Sequence, residues 1–158
     1  MKDKFQDEIF QHQALIHKIC RIYRDTKEER EDLFQDIIYQ LWKAYPQFLG
    51  KSKITTWMYR IGLNTAMATF RKQKIEYAAP PLLPEYADKD PDVDSERRDQ
   101  LLWAVKQLND ADRAIVTLYL DDLSYQEISE ITGLKENYVG VRLNRIKEKI
   151  KKLLNIQP

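Results

Sequence analysis

Apolar residues recur along this chain at steps of three and four, and no segment sustains a two-residue alternation. That period belongs to helices, and the reading is an all-α fold. Phe5, Ile9, Ile16, Ile19 and Tyr23 predict a first helix over 4–24. Thr26 and Glu29 have the spacing of a capping box, in which a hydroxyl and a carboxylate satisfy each other's backbone amides. They open a second helix that runs to 44 and stops before Pro46. On it Leu33, Ile37 and Leu41 mark the buried side, extended by Phe34, Ile38 and Trp42. Asp32, Gln35 and Asp36 share the opposite, wet side, with Glu28, Glu29 and Glu31 nearby. The polar loop Gly50-Lys51-Ser52-Lys53 leads into a third helix over 55–72, and two more are expected over 97–108 and 110–120.

The last segment, 124–154, reads as a helix-turn-helix. Ser124 and Glu127 form a second capping box, Gly133 supplies a left-handed turn after a short helix ending at Thr132, and Leu134 packs that turn. A long helix starts near Lys135. Val139, Leu143, Ile146, Ile150 and Leu153 form its apolar face, and Tyr138, Arg142, Arg145, Lys149 and Lys152 lie about a quarter turn away. Two helices around a glycine turn, the second cationic beside its apolar stripe, have the geometry that enters a DNA major groove. Basic helical faces are also common as plain solvated surface, so the motif needs its context.

Composition supplies that context. The 158 residues suit one or two small domains, and the four glycines favour helices over sheets. No run of eighteen apolar residues is present, so neither a membrane span nor a signal peptide is expected. Cys20 is the single cysteine, which excludes an internal disulfide and fits a reducing cytoplasm. The net charge of +1 is uninformative, whereas its distribution is not. Residues 51–74 hold six basic side chains and no acid, and 135–152 hold seven against Glu136 and Glu148. Between them, 76–96 carries seven acids and only Lys89. Pro80, Pro81, Pro84 and Pro91 break any helix over 75–95, so this stretch reads as a tether. The expected domains are 1–74 and 97–158, with 75–96 as linker.

The candidate chemistry is binding. Arg60, Asn64 and Arg71 fall on one narrow stripe of the third helix, with Trp57 and Tyr59 near its start and Phe48 in the loop before it. Cations track phosphates, an amide pairs with a base edge, and aromatic rings stack on unpaired bases. The combination favours single-stranded or opening DNA, and a competing reading buries Trp57 with Ile61 and Ala68. The acidic side of the second helix would repel phosphate and suits a basic protein partner; an ordinary solvated face is the bland alternative. Enzyme readings find no support, since no glycine-rich phosphate loop, serine elbow or HExxH occurs. His12, His17 and Cys20 lack metal-ligand spacing. Asp121-Asp122 reads as a polar helix terminus. No cofactor and no metal are expected.

Several strings together resemble one family. Asp32-Leu33-Phe34-Gln35-Asp36 precedes Leu41-Trp42; Thr56-Trp57-Met58-Tyr59-Arg60-Ile61 precedes Asn64; Leu123-Ser124-Tyr125-Gln126-Glu127-Ile128 precedes Val139 to Arg145. In order and spacing these resemble the extracytoplasmic-function sigma factors of bacterial RNA polymerase, over about 5–154. The resemblance implies an alternative sigma factor with no catalysis of its own. Asp32, Gln35 and Asp36 would bind core RNA polymerase. Phe48, Lys51, Lys53, Trp57, Tyr59, Arg60, Asn64 and Arg71 would recognise and melt the minus-ten element. Lys135, Glu136, Asn137, Tyr138, Arg142 and Arg145 would read the minus-thirty-five element. It further implies double-stranded and melted promoter DNA as partners, a regulatory anti-sigma factor, and a tether threaded through the polymerase.

Two departures stand out. The family often has a serine or threonine cap where this chain has Lys135, and a basic residue where it has Gly140. Base readout would then rest on Glu136, Asn137, Tyr138 and Arg142. The rival function is a stand-alone helix-turn-helix regulator with an N-terminal sensing domain, which needs neither the Asp32/Gln35/Asp36 face nor the aromatic third helix.

Overall fold

The computed structural model describes residues 2–68 and 95–156. Contacts divide the chain into two compact units, 1–86 and 87–158. The division falls inside the stretch read as a tether, most of which lies outside the described residues. The described residues contain helices and one 3₁₀ turn, and no strand.

The first unit comprises α1 (Lys2–Gln11), α2 (Gln13–Tyr23), α3 (Lys27–Ala44), a 3₁₀ turn (Tyr45–Gln47) and α4 (Ile54–Ala68). The single first helix expected over 4–24 is two helices. The polar run Gln11-His12-Gln13 offers one turn with no apolar residue to hold it. There His12 N–H bonds back only three residues, to the Ile9 carbonyl at 3.1 Å. Gln13 Nε2 takes the Phe10 carbonyl at 3.3 Å. Beyond the break, α2, α3 and α4 pack on one another around Ile16, Ile19, Leu33, Ile37, Leu41, Met58 and Leu63, all almost fully enclosed. Each such side chain contributes about 2 kcal/mol relative to an exposed one. Close approach of α2 and α4 depends on Gly62, where a Cβ would stand 2.8 Å from Ile19 Cδ1. Arg24 closes the far end, its Nη2 donating to the Ala66 carbonyl at 3.1 Å. The expected helix over 55–72 is present from Ile54 to Ala68; its last residues lie outside the described ones.

The second unit comprises α5 (Ser95–Lys106), α6 (Asp110–Leu120), α7 (Tyr125–Thr132) and α8 (Glu136–Ile156). Helix α5 ends two residues before the expected 108, because the Gln107 and Leu108 amides bond back to Ala104 and Val105 in a tighter turn. Asn109 then caps α6 by accepting from Asp112 N–H at 2.9 Å. Arg113 reaches back to the Leu108 and Lys106 carbonyls at 2.9 and 2.7 Å, tying α5 to α6. Helix α6 ends where Asp122 enters the left-handed region at φ 64°. Ser124 and Glu127 complete their capping box at the start of α7. Gly133 closes α7 at φ 80°, a conformation costly for any side chain with a Cβ. On α8 Val139, Leu143 and Ile146 are buried, while Ile150 and Leu153 are half-buried.

Candidate nucleic-acid interface

The carboxylate-bearing side of α3 faces outward. Leu33, Ile37, Ile38 and Leu41 fill the interior, and on the other side Asp32 and Gln35 are exposed and Asp36 is half-buried. At the helix start Thr26 Oγ1 accepts from Glu29 N–H, and Glu29 Oε1 accepts from Thr26 N–H, both at 3.1 Å. These bonds from Thr26 hold the Glu29 carboxyl below the ordinary carboxylate range. Glu28 and Glu29 also complement the positive end of the helix dipole. The dipole fades within one turn, so it does not account for Asp32 or Asp36 further along.

Around the start of α4 the aromatic residues form a connected cluster. Phe48 stacks on Trp57 with centroids 4.8 Å apart and planes 29° from parallel. Tyr45 lies 6.1 Å from Trp57 and 5.2 Å from Phe5, and Phe5 meets Trp42 edge-on at 5.0 Å. Burial pushes the Tyr45 hydroxyl up, with the Glu8 carboxylate adding to it. Two expectations need correction here. Tyr59 is only 1% exposed and Trp57 8%. Enclosed rings offer no face to a base, so these two residues hold the loop and helix and do not form a stacking platform. Phe48 is half-buried on Trp57; Lys51 and Lys53 are exposed on the loop, which also presents Leu49, 72% exposed. On α4 itself Arg60 is half-buried and Asn64 exposed. Arg71 lies outside the described residues.

The long helix α8 starts at Glu136, and its first backbone bond runs from Val139 N–H to the Lys135 carbonyl at 3.0 Å. Lys135 therefore sits at the capping position and brings no side-chain acceptor to it. Lys135, Glu136, Asn137, Tyr138 and Arg145 are exposed. Arg142 is not a free reader of bases, and this is the third correction. Its Nη2 and Nε reach the Asp112 carboxylate at 2.8 and 3.0 Å, and Asp112 is 7% exposed. Lys149 Nζ stands 3.9 Å from the other oxygen of the same carboxylate. A nearly buried carboxylate left without its guanidinium costs about 3 kcal/mol or more, so Arg142 is a strut between α8 and α6. Sequence reading missed Asp112, which looked like an ordinary acid in the first turn of α6. Its partner is thirty residues away, and no local pattern reports such a pair.

Gly140 has its own explanation. A Cβ there would stand 3.1 Å from Cε2 of Tyr125, so the ring of the first α7 residue occupies the space over this glycine. On the same side Lys147 Nζ lies 4.4 Å from the Tyr119 ring centre, and its hydrogen bond with Tyr119 raises the ammonium pKa.

His17 stacks on Phe34 at 4.6 Å. Burial pushes the Cys20 thiol up to about 12, against the lowering effect of Arg24, Arg21 and Arg30, so it stays protonated and unreactive. No metal-ligating cluster occurs among the described residues, and no helix there is long and apolar enough to cross a membrane.

Comparison with known proteins gives this geometry a context. Residues 9–75 match the sigma-70 region 2 family, and residues 98–150 match sigma-70 region 4. The RNA polymerase sigma factor YlaC of Bacillus subtilis is 30% identical over 79% of this chain and 77% of its own length. The chain belongs to the extracytoplasmic-function sigma factors of bacterial RNA polymerase. The extracytoplasmic-function factor SigW of the same bacterium is 27% identical over 97% of this chain and 90% of its own. Among solved structures, the sigma factor RpoE bound to the anti-sigma factor NepR, from Bartonella quintana, superposes with a TM-score of 0.73. It does so at 20% identity with both chains fully covered. CnrH in complex with the cytosolic domain of CnrY also gives 0.73, at 18% identity, covering all of this chain and 92% of that one. This sigma factor directs promoter-specific initiation of transcription by RNA polymerase, and its N-terminal unit matches region 2 where the rival reading expected a sensing domain.

Proposed function

We propose that the outward carboxylate side of α3 is the surface by which this sigma factor grips core RNA polymerase. Asp32, Gln35 and Asp36 are the contact residues, with 1–74 as the polymerase-binding and minus-ten domain. The observation that carries this reading is the placement of Asp32 and Gln35 in solvent beyond the reach of the helix dipole, on a helix whose other side fills the core. An exposed carboxylate in that position suits a cationic partner surface.

In the same reading the loop with Phe48, Lys51 and Lys53, the α4 edge with Arg60 and Asn64, and Arg71 beyond it contact the minus-ten element as it opens. Trp57 and Tyr59 support that surface from beneath. The domain 97–158 lays α8 along the minus-thirty-five element, with Lys135, Glu136, Asn137, Tyr138 and Arg145 toward the groove and 75–96 as the connection. The factor brings no catalytic group; phosphodiester chemistry belongs to the polymerase, in the cytoplasm. Two structurally similar proteins are held by partners, the sigma factor RpoE by the anti-sigma factor NepR and CnrH by the cytosolic domain of CnrY, and the first supports regulation of this chain by an anti-sigma factor.

The test is charge reversal. Asp32→Lys with Asp36→Lys should weaken core binding by about a hundredfold, the scale of an opposed contact pair, and leave the melting temperature within about 2 °C of wild type. Undiminished core affinity would remove α3 as the grip.

A further inference from the structure

Helix α8 carries two sets of residues with the same rhythm. Val139, Leu143, Ile146 and Ile150 face the interior at steps of four, three and four. Asn137, Val141, Asn144 and Glu148 repeat those steps two residues earlier, and all four are exposed. Two residues turn an α-helix by about 200°, so the second set runs along the side directly opposite the core. Val141 is 48% exposed there. A β-branched apolar residue lowers helix propensity, and this one buries little within its own unit. It has an amide four residues before it and another three residues after it.

The edges of α8 are occupied otherwise. Arg142 and Lys149 turn to Asp112 on α6, and Gly140 lies under the ring of Tyr125 from α7. The acid Glu148 ends the uncharged part of the outward side. Along its outward row the N-terminal half of α8 therefore presents amide, isopropyl, amide, flanked by Tyr138 and Arg145.

We infer that Asn137, Val141 and Asn144 form the base-reading stripe of this sigma factor, and that Val141 and Asn144, not Arg142, set its preference for consecutive A·T pairs. In the major groove a thymine presents a 5-methyl group, which an isopropyl group packs against. Adenine presents N7 as acceptor and N6 as donor, which one amide meets with two hydrogen bonds. Guanine asks for a bidentate cation, and Arg142 is already tied to Asp112. Lys151 and Lys152 remain further along α8 for phosphates. The inference rests on the reading of α8 as the minus-thirty-five helix.

The experiment uses holoenzyme assembled from the full-length chain and purified core polymerase. It selects duplexes from a pool randomised over both promoter elements, and each thymine of the selected upstream element is then replaced by deoxyuridine, which removes only the methyl group. Wild-type holoenzyme should bind about fourfold more weakly at one such position, the worth of one buried methyl. Val141→Ala should lose the same factor with thymine present and nothing further with deoxyuridine. Asn144→Ala should lose about tenfold in discrimination at a neighbouring adenine. Both residues are exposed, so both variants should keep the wild-type melting temperature. Full methyl sensitivity in Val141→Ala, none in the wild type, or a G·C-only selected element would each overturn the inference. A selection that returns no upstream preference at all would instead overturn the role of α8, and the inference with it.

Discussion

Helices α4 and α8 look alike as sequence: each carries cations, aromatic residues and an amide at helical spacing, and no acid or few. In the fold they are different objects. Helix α4 lies between α2 and α3, and Thr56, Trp57, Met58, Tyr59, Gly62, Leu63, Thr65 and Ala66 are all buried. What it shows to solvent is a narrow edge at Arg60 and Asn64, continued by the loop in front of it. Helix α8 buries one stripe and leaves a whole side open, with part of its cationic flank turned inward to a carboxylate. A buried helix can touch DNA only through its rim and its loop, which suits capture of a base that has left the stack. A peripheral helix can offer an unbroken row, which suits a groove. On the proposed reading, the same residue types serve two kinds of recognition, decided by how many neighbours the helix has.

The sharpest way to break this contrast is to empty the centre of α4. Tyr59→Ala should cost about 3 kcal/mol or more in unfolding free energy, as large-to-small changes in packed cores do. Asn64→Ala, one turn along, should leave stability unchanged and impair promoter opening. Urea unfolding and an open-complex assay read the two quantities separately. A stable Tyr59→Ala protein with defective opening would restore Tyr59 to the DNA-contacting set.

Much of this architecture was legible in the chain. Both capping boxes, the Gly133 turn, the core residues of α3 and the bounds of α6 and α7 follow from local chemistry, in which partners lie within four residues of each other. The break at His12 was missed because Phe5, Ile9 and Ile16 stay in helical phase across it. The misassigned site residues fail for one shared reason. Whether Trp57, Tyr59 or Arg142 reaches DNA depends on a neighbour distant in sequence: Phe48 and Tyr45 around Trp57, Asp112 beneath Arg142. Periodicity places a side chain on a helix face and is silent about what covers that face.

The next effect in size concerns the flank of α8. Asp112→Ala strips Arg142 and Lys149 of their shared carboxylate and should lower the stability of the second unit by about 3 kcal/mol. Arg142→Ala should cost a similar amount, and the double variant much less than the sum, because the two residues act as one unit. Thermal melts of the four proteins supply the cycle. Additive losses would mean that Arg142 is not a strut, and would return it to the base-reading set.

The smallest effect separates the two helices most cleanly, since it uses one substitution in both. Gly62→Ala puts a methyl 2.8 Å from Ile19 Cδ1, inside a core where Ile19 is fully enclosed. Overpacking there should outweigh the gain of about 1 kcal/mol in helix propensity, for a net loss of about 1–2 kcal/mol. Gly140→Ala puts its methyl 3.1 Å from a Tyr125 ring that is 37% exposed. That ring can swing a few tenths of an ångström into solvent, so the propensity gain survives and stability should be unchanged or up to about 1 kcal/mol higher. Opposite signs from one substitution would follow from the buried and peripheral settings of α4 and α8. A loss at Gly140 equal to that at Gly62 would mean that Tyr125 is held rigidly against α8, and that this edge is as tightly packed as the interior of the first unit.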